Sequence, residues 1–473
     1  MRSSRGVRWL RTMIMTGSVM VAMPADAQGK DRMVFRDKTA PVEARVADLM
    51  SRLTLDEKIS LLAGATSMTA HAIPRLGIPE LKMTDGPTGV RSPEGKPATV
   101  FPVGVAIAAT WNPALAGEVG GAIAEEARGY GASVLLAPTV NIVRTPRWGR
   151  NFETYSEDLW LTGQMALGYV NGVQSKGVGV SIKHFVANNQ ETNRFFVNSA
   201  VDERTMRELY LPAFETVVKT AEPWSVMASY NKLNGTYASE NPWLLTDVLK
   251  NQWGFKGFVV SDWGATHSTA KAVNAGLDME MPGPPEHFGP KLVKAVAAGE
   301  VSTAQIDENA RRMVRLLVRS GVIDGTAGKG GEVGGAAHAA VSRRAAEEAI
   351  VLLANKGLLP LDPAIRTLAV IGPNATEARI QGSGSSAVQP FDAIATPLDA
   401  IRAAFPGATI TYEKGVDSDE VPPAAKAAMF SPDAARTGKG LTQTYYATAD
   451  RTGTPVTTDI VTAFVKQIGR AHV

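Results

Sequence analysis

Val178-Gly179-Val180-Ser181-Ile182-Lys183-His184 decides the fold. A short apolar run of strand-forming residues ends abruptly on a charged and a titratable side chain, with no helical spacing of its apolar positions. The theme recurs in Leu81-Lys82-Met83-Thr84 before Asp85, in Val134-Leu135-Leu136-Ala137, in Trp224-Ser225-Val226-Met227-Ala228 before Tyr230, and in Gly257-Phe258-Val259-Val260 before Asp262. Val100-Phe101-Pro102-Val103 reads as one more run. Helical stretches lie between, and alternation of strand and helix predicts a parallel sheet covered by helices. In a (β/α)8 barrel, residues at the carboxyl ends of the strands converge on one face. Turns after strands are polar in any case. That accounts for one or two such residues, and less well for a Lys-His pair plus two Asp.

Outward from the barrel, Thr54 and Glu57 have the spacing of a capping box, and Leu55, Ile59 and Leu62 share a face that Gly64 ends. The barrel is expected over 41–324. Gly325, Gly328, Gly330, Gly331, Gly334 and Gly335 mark a linker over 325–336. A second α/β unit, 337–439, is read from a helix at 341–355, a buried-strand pattern at 367–372 and a strand at 408–412. After Gly440 the chain turns Thr- and Tyr-rich, and 440–467 reads as the start of a β-rich module.

Arg2, Arg5, Arg8 and Arg11 precede the apolar block 13–23 and the small-residue site Ala25-Asp26-Ala27, which predicts a signal peptide over 1–27 and export to the periplasm or beyond the cell. The block is too short to span a membrane. With no Cys in 473 residues, stability must come from core burial, and thiol catalysis is excluded. A net charge of +3 argues against a nucleic-acid partner. Ile468-Gly469-Arg470-Ala471-His472-Val473 coincide with the translation of a common sequencing adapter, so the natural chain is expected to continue.

The chemistry-bearing candidates follow the runs. Asp262, beside Trp263, could attack an anomeric carbon and form a glycosyl ester, although capping the next helix is the commoner use of such an Asp. Lys183 and His184 could grip vicinal hydroxyls as charged and neutral donors; an ion-paired Lys and a half-buried His are the plain alternatives. A lone His at that spacing disfavours zinc. The loop from Arg144 to Glu153 sets three Arg around Trp148, with Glu153 as a partner for some of them. Asp85 and Arg91 flank a turn made by Gly and Pro.

DGPTGVR at 85–91, RTPRWGRNFE at 144–153, KHFVANNQETNR at 183–194 and SDWGA at 261–265 together resemble glycoside hydrolase family 3, and most closely its exported bacterial β-glucosidases. The resemblance runs from about Leu53 to Thr411. It implies retaining hydrolysis of β-glycosides from the non-reducing end, on a barrel followed by an α/β sandwich domain, here incomplete. Asp262 matches the nucleophile. Asp85, Arg150, Lys183 and His184 match positions that hold the non-reducing glucose, and Arg91, Arg194, Met227, Tyr230 and Trp263 match further lining positions. Ser385 lies in Gly382-Ser383-Gly384-Ser385-Ser386, a loop like one the family places near the barrel mouth; a plain flexible turn is the alternative.

The Asp matching Asp85 favours glucose over xylose. In family members with this order the acid/base Glu lies beyond an inserted lectin-like module of the protective-antigen type, whose start 440–467 resembles. The acid/base is therefore expected outside these residues, with Glu347, Glu377 and Glu413 read as surface charge. A β-xylosidase or broad β-glycosidase is the near alternative. A non-catalytic carbohydrate-binding protein, or a nucleotide-binding protein built on Val370–Ala375, comes from another class, and the latter lacks a phosphate-loop pattern. No cofactor or metal is called for. The expected partner is a β-glucoside or β-linked oligosaccharide, and an oligomer is left open.

Overall fold

The computed structural model describes residues 33–92, 94–416, 430–433, 437–448, 450 and 452–461; the signal-peptide stretch and the adapter-like end lie outside them. One sheet has six strands in the order of the chain: β1 (Thr69–Ala70), β2 (Leu81–Asp85), β3 (Val134–Leu136), β4 (Gly179–Phe185), β5 (Ser225–Ala228) and β6 (Phe258–Ser261). From β2 to β6 every pairing is parallel, and β1 is antiparallel to β2. All seven residues of β4 are buried, as a strand covered on both faces requires.

Single bridges carry the sheet round into a ring, from Val260 to Met279, from Ala63 to Glu280 and from Gly64 to Ala70. Ser261 N donates to Met279 O (2.9 Å) and Gly64 N to Glu280 O (3.0 Å). The architecture is thus of the expected barrel type, with one antiparallel member and two short bridging segments in place of regular strands. Pro282 and Pro284 cannot donate to a longer ladder. At the seam a Cβ on Gly64 would lie 2.5 Å from Gly283 N, so the position needs a glycine for closeness. Gly64 therefore does more than end a helix.

Two other expectations change. Val100–Val103 is not a strand, since Pro102 lacks an N–H; it leads into the helix Gly104–Ala109. The capping box does form, with Glu57 N on Thr54 Oγ1 (3.2 Å) and Thr54 N on Glu57 Oε2 (2.9 Å), but Leu55 at the first helical position points outward while Ile59 and Leu62 are buried.

Helices α1 (Pro113–Gly129) and α2 (Leu159–Ser175) cross on glycines: a Cβ on Gly172 would lie 1.9 Å from Gly117 O. Helix α3 (Ala336–Ala349) starts earlier than read and packs on α1. Its His338 lies between Glu125 (3.1 Å) and the fully buried Glu126 (3.0 Å), and Gly334 N also donates to Glu126 (3.0 Å). These bonds tie the glycine-rich stretch to the barrel side. Compactness divides the chain elsewhere, into residues up to Lys356 with Ile380–Ile394, and Gly357–Arg379 with the residues from Ala395 onward.

The second unit holds the parallel pair β7 (Thr367–Ile371) and β8 (Thr409–Glu413), and the antiparallel pair β9 (Leu441–Tyr445) and β10 (Thr457–Val461). The buried pattern read at 367–372 is corrected: Thr367, Ala369 and Ile371 are exposed, as are their partners on β8.

Candidate active site

The carboxyl ends of β2, β4, β5 and β6 surround a cavity of ≈ 500 Å³. Asp262 is the first residue after β6. Its N–H donates to Ala228 O (3.1 Å), its Oδ1 accepts from Trp263 N (2.8 Å), and its buried Oδ2 has no hydrogen-bond partner within 3.5 Å, with His184 Nε2 at 3.6 Å and the Tyr230 hydroxyl also acting on the carboxyl. Burial pushes its carboxyl above the ordinary Asp range, although Arg150 and Lys183 pull the other way. Tyr230, whose hydroxyl donates to Trp263 O (3.2 Å), is raised chiefly by burial.

His184 is fixed by Asn141: its N–H donates to Asn141 Oδ1 (2.7 Å), Asn141 Nδ2 donates to its carbonyl (2.9 Å), and its Nδ1 is 3.3 Å from the same amide oxygen. Both ring nitrogens face oxygens, Nδ1 that of the Asn141 amide and Nε2, at 3.6 Å, Oδ2 of Asp262, and the tautomer decides which of them donates. Burial, with the charges of Arg150 and Lys183, holds the ring well below its ordinary range, so it is neutral.

Asp85 ends β2, within reach of Lys183 Nζ (3.5 Å) and Arg91 Nη1 (3.3 Å). The turn that returns Arg91 passes through Gly89 at φ 133°, where a Cβ would also lie 2.4 Å from Thr99 O. Arg150 Nε donates to Glu153, and its buried Nη2 has no partner. Arg194 Nη1 donates to Glu191 (2.8 Å), and its guanidinium lies over the ring of Tyr230 (5.0 Å).

All eleven candidates border this cavity: Asp262 and Trp263 after β6, Met227 on β5 and Tyr230 after it, Lys183 and His184 on β4, Asp85 and Arg91 at β2, Arg150 and Arg194 on loops, and Ser385 on the 380–394 segment. Five lining side chains went unassigned in the sequence. Phe152, Glu153, Glu191 and Ser383 stood inside quoted stretches without a role in the cavity, and Met68 carried no signal. Trp263 Nε1 donates to Ser67 O (2.7 Å), which holds that loop at the wall. Among the described residues no three His, Cys, Asp or Glu side chains converge as a metal set.

A carboxylate with one free oxygen thus stands among cations and a neutral imidazole at the carboxyl ends of the strands of an α/β barrel, where barrels of this class build their sites. The chain belongs to glycoside hydrolase family 3: its N-terminal domain matches residues 44–316 and its C-terminal domain 350–467. It is 50% identical over 375 residues to a β-glucosidase of Rhizobium radiobacter, covering 77% of this chain and 45% of that one. With the exo-α-(1→6)-L-arabinopyranosidase of Bifidobacterium longum it shares 43% over 358 residues, 72% of this chain and 47% of that one. The solved structure of β-glucosidase 3B from Thermotoga neapolitana in complex with α-D-glucose superposes with a TM-score of 0.73 at 40% identity, covering 78% of this chain and 55% of that one. The chain thus spans about half the length of the curated relatives it matches.

Proposed function

We propose that the chain carries the sugar site of a retaining, exo-acting β-glucosidase with Asp262 as nucleophile. The free, buried Oδ2 of Asp262 carries this reading. That oxygen bonds to the anomeric carbon as the bond to the leaving oxygen breaks, and water later cleaves the glycosyl ester. Asp85, held by Lys183 and Arg91, accepts from the outer hydroxyls of glucose, and the neutral ring of His184 bonds a hydroxyl nearer the reacting carbon.

A retaining mechanism also uses an acid roughly 5–5.5 Å from the nucleophile. Each other carboxylate bordering the cavity is already engaged by a cation: Asp85 by Lys183 and Arg91, Glu153 by Arg150, Glu191 by Arg194. We assign the acid role to none of them, nor to Glu347, Glu377 or Glu413; Glu347 pairs with Arg343 and Glu377 with Arg379. Without an acid, departure of an alkoxide loses about 10²–10⁴-fold assistance, whereas a dinitrophenolate leaves unaided. The test compares kcat/KM of the 473-residue chain for 2,4-dinitrophenyl β-glucoside and for cellobiose. Turnover of the aryl glucoside alone supports the assignment. Efficient cellobiose hydrolysis overturns the missing acid, and glucose binding without any turnover favours a non-catalytic binder.

Likeness to β-glucosidases and to a glucose complex supports glucose as the sugar. The likeness to an arabinopyranosidase makes a pentopyranoside the second reading, so an aryl α-L-arabinopyranoside belongs in the same assay. We also propose that β9 and β10 open an inserted lectin-like module, and that the stretch 1–27 directs export. No helix of the described residues is long and apolar enough to cross a membrane.

A further inference from the structure

We propose that Glu153 is the positioning residue of the sugar site, one buried carboxylate that sets both the guanidinium of Arg150 and the wall segment 382–386. Three parts of the first unit meet on it. Its Oε1 accepts from Arg150 Nε; its Oε2 accepts from Ser386 Oγ (2.8 Å) and from Thr139 Oγ1 (3.3 Å), just beyond β3. Burial works against its ionisation, but Arg150 and Lys183 outweigh burial and hold the carboxyl below the ordinary Glu range.

The geometry gives the carboxylate a purpose beyond neutralising a loop. Arg150 has five donors in a fixed fork, so fixing Nε fixes where the unpartnered Nη2 lies. The wall segment contributes Gly382, Ser383, Gly384 and Ser385 to the cavity, and Ser386 is its neighbour that turns inward to Glu153. Gly382 sits so close to Phe152 that a Cβ would lie 2.1 Å from the ring, so the wall has little room to shift by itself. Other tethers hold the segment to the barrel: Thr88 Oγ1 donates to Ser386 O (3.0 Å), Ala98 N donates to Gln389 O (2.7 Å), and Val388 is buried in the core. Loss of the carboxylate should therefore loosen this segment locally, with the other tethers keeping it on the barrel.

The inference rests on the glucoside reading for its ligand, and its test separates the two. Glu153→Gln, Ser386→Ala and the double variant are compared with the parent chain in calorimetric titrations with D-glucose and in amide hydrogen exchange over 380–394 without sugar. If Glu153 positions the site, Glu153→Gln weakens glucose at least roughly ten-fold, as loss of a charged hydrogen-bond acceptor does. Exchange then rises in 380–394 and not across the barrel strands, and in glucose affinity the double variant is little worse than Glu153→Gln because both act through one bond. Unchanged exchange in 380–394, or exchange raised equally across the whole barrel, overturns the proposal. If the parent binds no glucose, the reading of the cavity falls, and the exchange comparison by itself still decides the role of Glu153.

Discussion

Two parallel pairings in one chain have opposite surroundings. β4 and β5 lie inside the barrel, buried at every residue; β7 and β8 of the second unit expose every other residue, and Ala375 and Leu398 are the buried hydrophobic residues there among those described. Burial is what gives polar groups at strand ends unusual chemistry: it raises Asp262, keeps His184 neutral and leaves an oxygen of Asp262 and a nitrogen of Arg150 waiting for a partner. The carboxylates of the second unit, such as Glu377 and Glu413, have no comparable enclosure. Strand order and motif place a residue; enclosure makes it reactive.

The largest effect that could break this contrast is on turnover. Asp262→Asn is expected to lower kcat/KM for the dinitrophenyl glucoside by at least roughly 10⁴-fold, while Glu377→Gln and Glu413→Gln leave it unchanged. Stability comes next: Phe258→Ala, at a fully buried strand position, should cost about 3–5 kcal/mol in denaturant unfolding, and Ile371→Ala, 72% exposed, less than about 0.5 kcal/mol.

The third effect follows pH. Asp262 holds its proton more tightly in the folded chain than in the unfolded one, so its contribution to stability falls as pH rises from the ordinary Asp value through the raised one. At pH 7 Asp262→Asn should therefore raise the melting temperature, by roughly a degree or two, as it abolishes turnover. In the parent chain the acid limb of kcat/KM for the dinitrophenyl glucoside should lie above the range of an exposed Asp.

The smallest is at the surface. The hydrogen bond from Arg75 holds Glu57 down at about 2, so its contribution is complete above the unfolded value and disappears as pH falls through about 2. Glu57→Gln should cost about 0.5–1 kcal/mol at pH 7 and only a small part of that at pH 2. An equal cost at both would show a cap without an ionic component.

Period and punctuation made β2 to β6 readable, because a parallel strand covered on both faces is a continuous apolar run with charge at its end. The ring closure was not readable: Ala63, Gly64, Met279 and Glu280 pair by single bridges, which leave no period in sequence. The cavity was legible wherever a motif supplied its residues, as at Lys183, His184 and Asp262. Glu153 was visible only as an arginine partner, since its second partner, Ser386, is 233 residues away along the chain. The placement of His184 depends on Asn141, which lies in no motif. The glycine-rich stretch misled because glycine serves close packing as well as freedom; a Cβ on Gly331 would lie 2.2 Å from Glu125 O.

The most direct test of Asp262 as nucleophile is to incubate the folded chain with 2,4-dinitrophenyl 2-deoxy-2-fluoro-β-glucoside and then measure intact mass and map the peptides. The fluorine slows breakdown of the ester and the leaving group needs no acid, so the nucleophile is tested by itself. One fluoroglucosyl adduct per chain, on Asp262 and absent from Asp262→Asn, is the predicted result. An adduct on another residue, or none on protein that is folded, would contradict it.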